Sequence, residues 1–515
     1  MGIKIYYSFL TILFIAFGCQ VESEESKSKI PKNDTYKYFD EELKPFYHGV
    51  ASGDPLPTRV IIWTRVTPEI AESVEVEWQV AEDMNFSKVI KSGKVATDSL
   101  VDYTVKVDVS GLSPATTYFY RFTSLGKTSI IGKTMTSNQS LTEPLKFAIV
   151  SCSNYEAGFY NAYARIAEKE VNAVIHLGDY IYEYAPKVYG DSTTGRFHLP
   201  AHEIVTLEDY RIRYAQYRLD KDLMKVHQKH PFITIWDDHE IANNVYKDGA
   251  ENHQDDEGDF LARKAAARKA YYEWMPIRES KTLYRRFDFG PLANLLMLDE
   301  RLERSKPADS LQATEYLDES RSMLGSEQYK WLTQNLKSSQ ATWNLIGNQV
   351  IFADLNMSPI YPQSPRNLDS WDGFPIEKQK LLSFLDSSSI KNTIFLTGDT
   401  HSSWAFEVPS EQKRYNKGAK IVALEFGTTS ITSSNSNEYT TDDSVKMAEK
   451  ILLAPSLNPH LKFTNLRDHG YLLLTLTQED LTADWYYVST VKKRSNEEML
   501  AYKIVVKNNE LNLQQ

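Results

Sequence analysis

The chain reads as a β-sandwich followed by a larger domain of mixed strands and helices, and three observations predict it. Between about Phe46 and Ser137, short β-type runs are separated by turn signals, the pattern of a sandwich. From about Glu143, apolar β-type runs alternate with helical stretches, the pattern of an α/β layer. Four segments of that second region close an apolar run with residues able to grip metal: Ser151-Cys152-Ser153-Asn154, His176 to Tyr182, Trp236-Asp237-Asp238-His239-Glu240 and Gly398-Asp399-Thr400-His401. Strand, then Gly or Asp, then a polar side chain is how α/β enzymes deliver ligands to the carboxyl edge of a sheet.

The N-terminus reads as an address. Lys4 precedes an apolar run from Ile5 to Phe17, too short for a comfortable membrane span and fitting a signal peptide over residues 1–18. Ala16-Phe17-Gly18-Cys19 resembles a bacterial lipobox, with Ala16 where Leu is usual. Cys19 is then the lipidated first residue of a protein exported to the bacterial cell envelope. A plain cleaved signal with an incidental Cys is the alternative. Residues 19–45, rich in Glu, Ser and Lys, read as a flexible tether.

Within 46–140, Arg59 to Arg65, Val74 to Val80, Thr104 to Val109 and Thr117 to Phe122 are the expected strands. Leu112 to Tyr118 resembles a fibronectin-type tyrosine corner. Within 141–490, helices are expected over Phe159 to Glu170, Glu257 to Trp274 and Gln328 to Lys337, and a hairpin over Gly470 to Val488. Residues 491–515 read as a charged tail. The acidic stretch Asp248 to Asp259 lacks an EF-hand's glycine and closing Glu, so it reads as a solvated loop.

Composition narrows the function. The 515 residues allow two domains, and 42% hydrophobic with 12% aromatic residues argues against disorder. A net charge of −11 gives no general attraction for nucleic acid, so no specific nucleic-acid binding is expected. A phosphate substrate stays possible, because bound cations set the local field. The two cysteines are Cys19 and Cys152, so a lipidated Cys19 leaves Cys152 an unpaired thiol. Free Cys often serves as a small core residue, but its place at a strand end beside other ligand candidates favours a metal thiolate.

The ligand types point to metal-dependent hydrolysis. Cleaving a phosphate ester without a covalent intermediate needs activated water and neutralised phosphoryl oxygens, which two bridged cations supply. Asp179 is the candidate bridge. Cys152, Asp179, Tyr182 and His401 together suggest Fe(III), because thiolate and phenolate stay ionised best on a highly charged metal. Asp179, Asp238 and Asp399 are all oxygen and favour a hard cation such as Ca²⁺. His176 reads as a core or supporting histidine, Asp237 as orienting His239 or touching metal, and Tyr180 and Tyr184 as packing.

These segments also carry a resemblance. Ser151 to Asn154, His176 to Tyr184, Trp236 to Glu240 and Gly398 to His401 look like the signature of the alkaline phosphatase D (PhoD-type) family. So do Gly49 to Pro55, Trp63-Thr64-Arg65 and Glu425 to Ser430, so the likeness covers about residues 46–490. It implies a fibronectin-like β-sandwich before an αββα metallophosphoesterase domain, with Fe(III) and Ca²⁺, acting on phosphomonoesters and phosphodiesters. By position, Cys152, Asp179, Tyr182 and His401 resemble the iron ligands, and Asp179, Asp238 and Asp399 the calcium ligands. Asp238-His239-Glu240 resembles the Asn-His-Glu or Asn-His-Asp stretch of wider metallophosphoesterases, which makes His239 the candidate general acid or transition-state stabiliser. Asn154, Arg301 and Asn348 are further candidates. Leu298-Asp299-Glu300-Arg301 departs from the family's Leu-Asp-Thr-Arg, so the loop there is expected to differ.

The expected substrates are small phosphate esters, including nucleotide or phospholipid-derived diesters, handled by a monomer. A phosphodiesterase or phospholipase-like enzyme is the alternative within hydrolases. A surface-anchored binding protein with a decayed catalytic domain is the alternative outside them.

Overall fold

The computed structural model describes Gly2 and residues 33–139 and 143–513; the leader, Cys19 and the first part of the tether lie outside them. Two sheets form the centre. The larger has nine strands, in spatial order Glu498–Lys507, Asp480–Val488, Gly470–Leu476, Leu145–Val150, Ala173–His176, Pro231–Thr234, Val50–Leu56, Arg59–Arg65 and Thr104–Ser110. The second has seven, in the order Arg285–Phe289, Ala293–Met297, Trp343–Asn348, Thr393–Thr397, Ile421–Gly427, Ser403–Pro409 and Leu461–Asn465. Their middle strands run parallel and are apolar along their length, as strands covered on both faces must be.

One apolar core lies between the sheets, drawing Phe147, Ile149 and Val174 from the first and Leu295, Leu345 and Phe426 from the second. Two indoles bond across it: Trp485 donates to the Gly427 carbonyl (3.0 Å) and Trp343 to that of Thr477 (2.7 Å). The helices Leu207–Arg218, Lys221–Lys229 and Phe260–Trp274 pack into this core from the side of the larger sheet. The helices Gly325–Ser338, Pro375–Ser387 and Asp442–Leu452 cover the second sheet and close a second core with Ile346, Phe395 and Phe406. The layers are therefore helix, sheet, sheet, helix, the expected αββα arrangement.

The N-terminal sandwich is present, but one of its sheets is shared. A smaller sheet of Val89–Thr97, Val74–Ala81, Thr117–Ser124, Lys127–Thr128 and Gly132–Met135 packs through Val76, Val80 and Phe122 onto Val60, Ile62 and Val105. Those last three residues belong to the end of the nine-stranded sheet. Val50–Leu56 joins it by pairing in parallel with Pro231–Thr234, Ser52 opposite Pro231 and Gly53 opposite Phe232. The tyrosine corner is formed, with the Ser113 amide donating to the Tyr118 hydroxyl (2.9 Å).

Two boundaries differ from the sequence reading. Residues 33–45, expected within a tether, form the 3-10 turns Asp34–Tyr38 and Glu41–Leu43, anchored by Phe39 stacking on Tyr47 at 4.0 Å. Residues 491–515, expected as a tail, contain the edge strand Glu498–Lys507, paired from end to end with Asp480–Val488. Among the described residues no helix is long and apolar enough to cross a membrane.

The edge strand has an energetic consequence. It buries Ile504 and Val506, each worth about 1.5–3 kcal/mol when removed from water. Deleting residues 494–515 is expected to lower the Tm by several degrees, and an unchanged thermal transition would contradict this packing role.

Candidate metal centre

The ligand candidates meet where strand ends of both sheets face one another. Cys152 follows Leu145–Val150, Asp179 follows Ala173–His176, Asp237 and Asp238 follow Pro231–Thr234, and Asp399 and His401 follow Thr393–Thr397. Cys152, Asp179 and His401 place one ligand atom each within 4.8 Å of one another, as do Asp179, Asp238 and His239, and Asp237, Asp238 and Asp399. Tyr182 completes the first group: its hydroxyl donates to Asp179 Oδ2 (2.9 Å) and lies 3.4 Å from His401 Nε2.

Backbone conformation aims these side chains. Cys152, Asp179, Asp399 and His401 all have φ between 57° and 61°, in the left-handed region that non-glycine residues adopt at a cost of about 1–3 kcal/mol. Such a turn after a strand throws the side chain over the sheet's edge. It also answers how Asp399 and His401, one residue apart, serve neighbouring groups. Gly178, with φ of 103°, lets the preceding turn press against Asp237; a Cβ there would collide with that residue's own Cβ.

The surrounding shell fixes each group. Glu240 accepts from the amides of Asp179 (3.0 Å), Tyr180 (2.6 Å) and Asp237 (2.8 Å), clipping two of the four segments together. The loop after Ile421–Gly427 braces the thiol side: the Ser433 hydroxyl donates to the Cys152 carbonyl (3.0 Å), and Ser433 also reaches the Tyr182 hydroxyl (2.6 Å). His401 Nδ1 donates to the Ser434 carbonyl (3.0 Å), which turns Nε2 toward Cys152, Asp179 and Tyr182.

The electrostatics are those of crowded buried acids. Burial pushes Asp179 well above the ordinary carboxylate range; His239 opposes this, while Asp237, Asp238 and Glu240 add to it. Burial likewise lifts Asp237 to about 8 and Asp399 to about 6, with Arg301 opposing both. Cys152 and Tyr182 are pushed up by burial and then by Asp179. Asp237 Oδ2 is buried without a hydrogen-bond partner. An orphaned carboxylate oxygen beside Asp238 and Asp399, and a thiol, a phenol and an imidazole converging on Asp179, fit a donor set built for cations.

Several residues stand in roles other than those expected. Arg301 does not face open space: its guanidinium bonds to Asp237, Asp369 and Asp399 (2.7 Å for the last), so it is a fixed counter-ion of the carboxylates. Asn154 spends its amide on the Tyr189 carbonyl (2.9 Å) and the Glu156 amide (3.0 Å), holding the loop after Cys152. Asn348 lies beneath the site, accepting from the Trp371 indole (3.1 Å) and donating to Thr397 Oγ1 (3.1 Å). Asp237 does not orient His239; Glu183 does, at 2.7 Å from Nδ1. His176, by contrast, is the core histidine expected, bonded to the Gly178 amide and the Tyr163 hydroxyl and pushed down to about 3 by burial. At the departure from the family form, Glu300 accepts from the amides of Gln349 (2.8 Å) and Val350 (3.1 Å) and from Trp371 (2.8 Å), so it anchors a loop beneath the centre.

Gly178→Ala tests the close approach at the centre. The substitution is expected to cost about 1–3 kcal/mol of stability from the positive φ alone. It should also cut activity at least tenfold by parting Asp179 from Asp237, and an alanine variant with full activity and an unchanged Tm would overturn this account.

Known proteins resemble the chain along most of its length. The profile of the PhoD-like phosphatases matches residues 147–485, and that of the PhoD-like phosphatase N-terminal domain matches residues 34–138. Alkaline phosphatase D of Bacillus subtilis (strain 168) is 38% identical over 467 residues, covering 86% of this chain and 77% of that protein. A solved structure of PhoD superposes with a TM-score of 0.83 at 34% identity, covering 94% of this chain and 93% of that one. The binding-protein alternative is thereby set aside. With its four strand-end segments gathered at one edge, the chain belongs to the PhoD-like phosphatase family and is a hydrolase of phosphoric esters.

Proposed function

We propose that this chain is an exported phosphatase that hydrolyses phosphate mono- and diesters at a two-metal centre. In this reading Fe(III) is held by Cys152, Asp179, Tyr182 and His401. Ca²⁺ is held by Asp179, Asp238 and Asp399, with the free oxygen of Asp237 beside them. The observation that carries it is the convergence of thiol, phenol, imidazole and four carboxylates within a few ångströms at strand ends. When bound, the cations supply charge for the phosphoryl oxygens and an activated water.

The protein's own groups do the rest. His239 is the proton donor or oxyanion partner on the leaving-group side. Its imidazole is held by Glu183, which in turn accepts from the Asn243 amide (2.8 Å) and Asn252 Nδ2 (2.8 Å). Burial works against the His239 charge, but Asp238, Glu183 and Asp179 outweigh it and hold the ring's pKa well above its ordinary value. Tyr182, 4.2 Å away between ring centroids, and Tyr184, at 5.5 Å, flank the ring.

A phosphorylated enzyme is not part of this reading. Among nearby hydroxyls, Ser153 is committed to the Tyr163 hydroxyl (2.6 Å), Thr400 accepts from the Trp404 indole (2.8 Å), and Ser433 is bonded to the Cys152 carbonyl and the Tyr182 hydroxyl. Export and attachment through a lipid on Cys19 rest on the sequence of residues 1–19.

Two experiments test the proposal. Glu183→Gln is expected to lower kcat about 10–100-fold, the usual cost of losing a group that orients an active-site histidine. The same change added to His239→Asn should cost little more, since both act through one ring; full additivity would separate Glu183 from His239. For the metals, Cys152→Ala should lose iron and nearly all activity, whereas Cys19→Ala should change only membrane attachment. Thiolate and phenolate donate charge into Fe(III), so the purified enzyme should be coloured and Tyr182→Phe should shift or bleach the band. A colourless, fully active enzyme containing only zinc would exclude the iron assignment.

A further inference from the structure

A cavity of about 1360 Å³ opens beside the metal centre, far more room than a phosphate group fills. It borders the centre, although no ligand candidate lines it. Its lining includes Thr400, between the ligand candidates Asp399 and His401, and Asp369, which bonds to Arg301. Asn244, also in the lining, donates its amide to Asp238 Oδ2 (2.7 Å).

The two walls differ in chemistry. On one, several polar groups are paired within the protein. Arg366 pairs with Asp372 (3.1 Å), Asp369 with Arg304 (2.6 Å), and the Asn367 side chain accepts from the Asp369 amide (3.0 Å). The other is apolar. Ile351, Leu355, Met357 and Ile360 line it from the loop after Trp343–Asn348, and Val445 and Ala448 from the helix Asp442–Leu452. These side chains belong to, or pack on, the second hydrophobic core. Tyr361 lines the cavity and is 54% exposed.

We infer that this cavity is a subsite for the alcohol part of the substrate, and that it selects phosphate esters whose alcohol carries an apolar chain. The inference rests on the phosphoesterase reading above and adds to it the class of ester. With the phosphoryl group at the metal centre, an attached alkyl chain runs along the Ile351 to Ile360 wall and meets Val445 and Ala448.

The test is a chain-length series. Ethyl, butyl, hexyl and octyl phosphates, and their methyl diesters, are supplied below their micelle concentrations, and phosphate or methyl phosphate release is followed. A fully buried methylene is worth about fourfold in binding, so kcat/KM is expected to rise about two- to fourfold per added methylene, about 60-fold or more over the six methylenes from ethyl to octyl. Inhibition by ethyl and octyl phosphonates should follow the same order without turnover. Ala448→Trp, which narrows the cavity beside its apolar wall, and Met357→Asp, which charges that wall, should each bring the octyl-to-ethyl ratio of kcat/KM toward one. A flat series in the unsubstituted enzyme, or a ratio unmoved in both folded variants, overturns the inference while leaving the phosphoesterase reading in place. No release from any ester at any length overturns that reading itself, and the inference with it.

Discussion

The structure is organised around one electrostatic constraint: Asp179, Asp237 and Asp238, all buried, and the partly buried Asp399 crowd together at the strand ends. Gathering carboxylates away from water is costly unless positive charge and hydrogen-bond donors meet them. Arg301 is the fixed part of that charge, in contact with Asp237 and Asp399 and 3.6 Å from Asp238. Asp369 and Arg304 extend the pairing outward, and the orphaned oxygen of Asp237 marks where it stops. In the proposed reading, bound cations make up the difference. Arg301 then acts by position, keeping three aspartates in place, and does not itself grip the substrate.

Holding such a cluster demands a rigid frame. Four ligand candidates sit in left-handed backbone conformations, at a combined cost of several kcal/mol. The frame that bears this is the core between the two sheets, whose middle strands are buried on both faces. Each strained residue directly follows a strand or lies within a few residues of its end, so little free chain separates strain from support. Glu240 and the Ser430 to Ser434 loop then tie the segments to each other across the gap between sheets. In the proposed reading this frame holds the ligand geometry, as electrostatic preorganisation requires.

What the sequence made legible was what local pattern encodes. Arg59–Arg65 is the strand read from its alternating turn signals, and Phe260–Trp274 is the core of the helix read over Glu257 to Trp274. The strand-end ligand candidates stood out because apolar run, turn and polar residue are neighbours in the chain. Missed were features set by distant partners. Glu498–Lys507 exposes most of its side chains, so its charged sequence resembled a tail until its pairing with Asp480–Val488 appeared. Leu207–Arg218 mixes tyrosines with arginines and lacks an apolar stripe, because Arg213 is buried by bonding to backbone carbonyls, among them those of Leu199 and Tyr184. Glu183 and Glu240 lay within the quoted segments, yet no spacing rule told that one would hold His239 and the other three amides.

The same distinction explains a motif that looked functional and turned out to be a joint. Gly49 to Pro55 and Trp63-Thr64-Arg65 carried part of the family resemblance, yet no residue of either lies among the metal-binding groups. Asp54 is buried, with φ of 46°, and accepts from the Arg278 amide (2.8 Å) and Arg285 (3.3 Å). Trp63 donates to the Glu273 carbonyl (2.8 Å) and lies under the Arg218 guanidinium at 4.5 Å. A Cβ on Gly53 would collide with the carbonyls of Pro276 and Phe232, so this strand approaches the α/β domain too closely for any larger residue. These contacts weld the sandwich onto Pro231–Thr234, the strand that delivers Asp237 and Asp238. The N-terminal domain is therefore a buttress of the ligand-bearing sheet, and its motifs belong to the same mechanical problem as the aspartates.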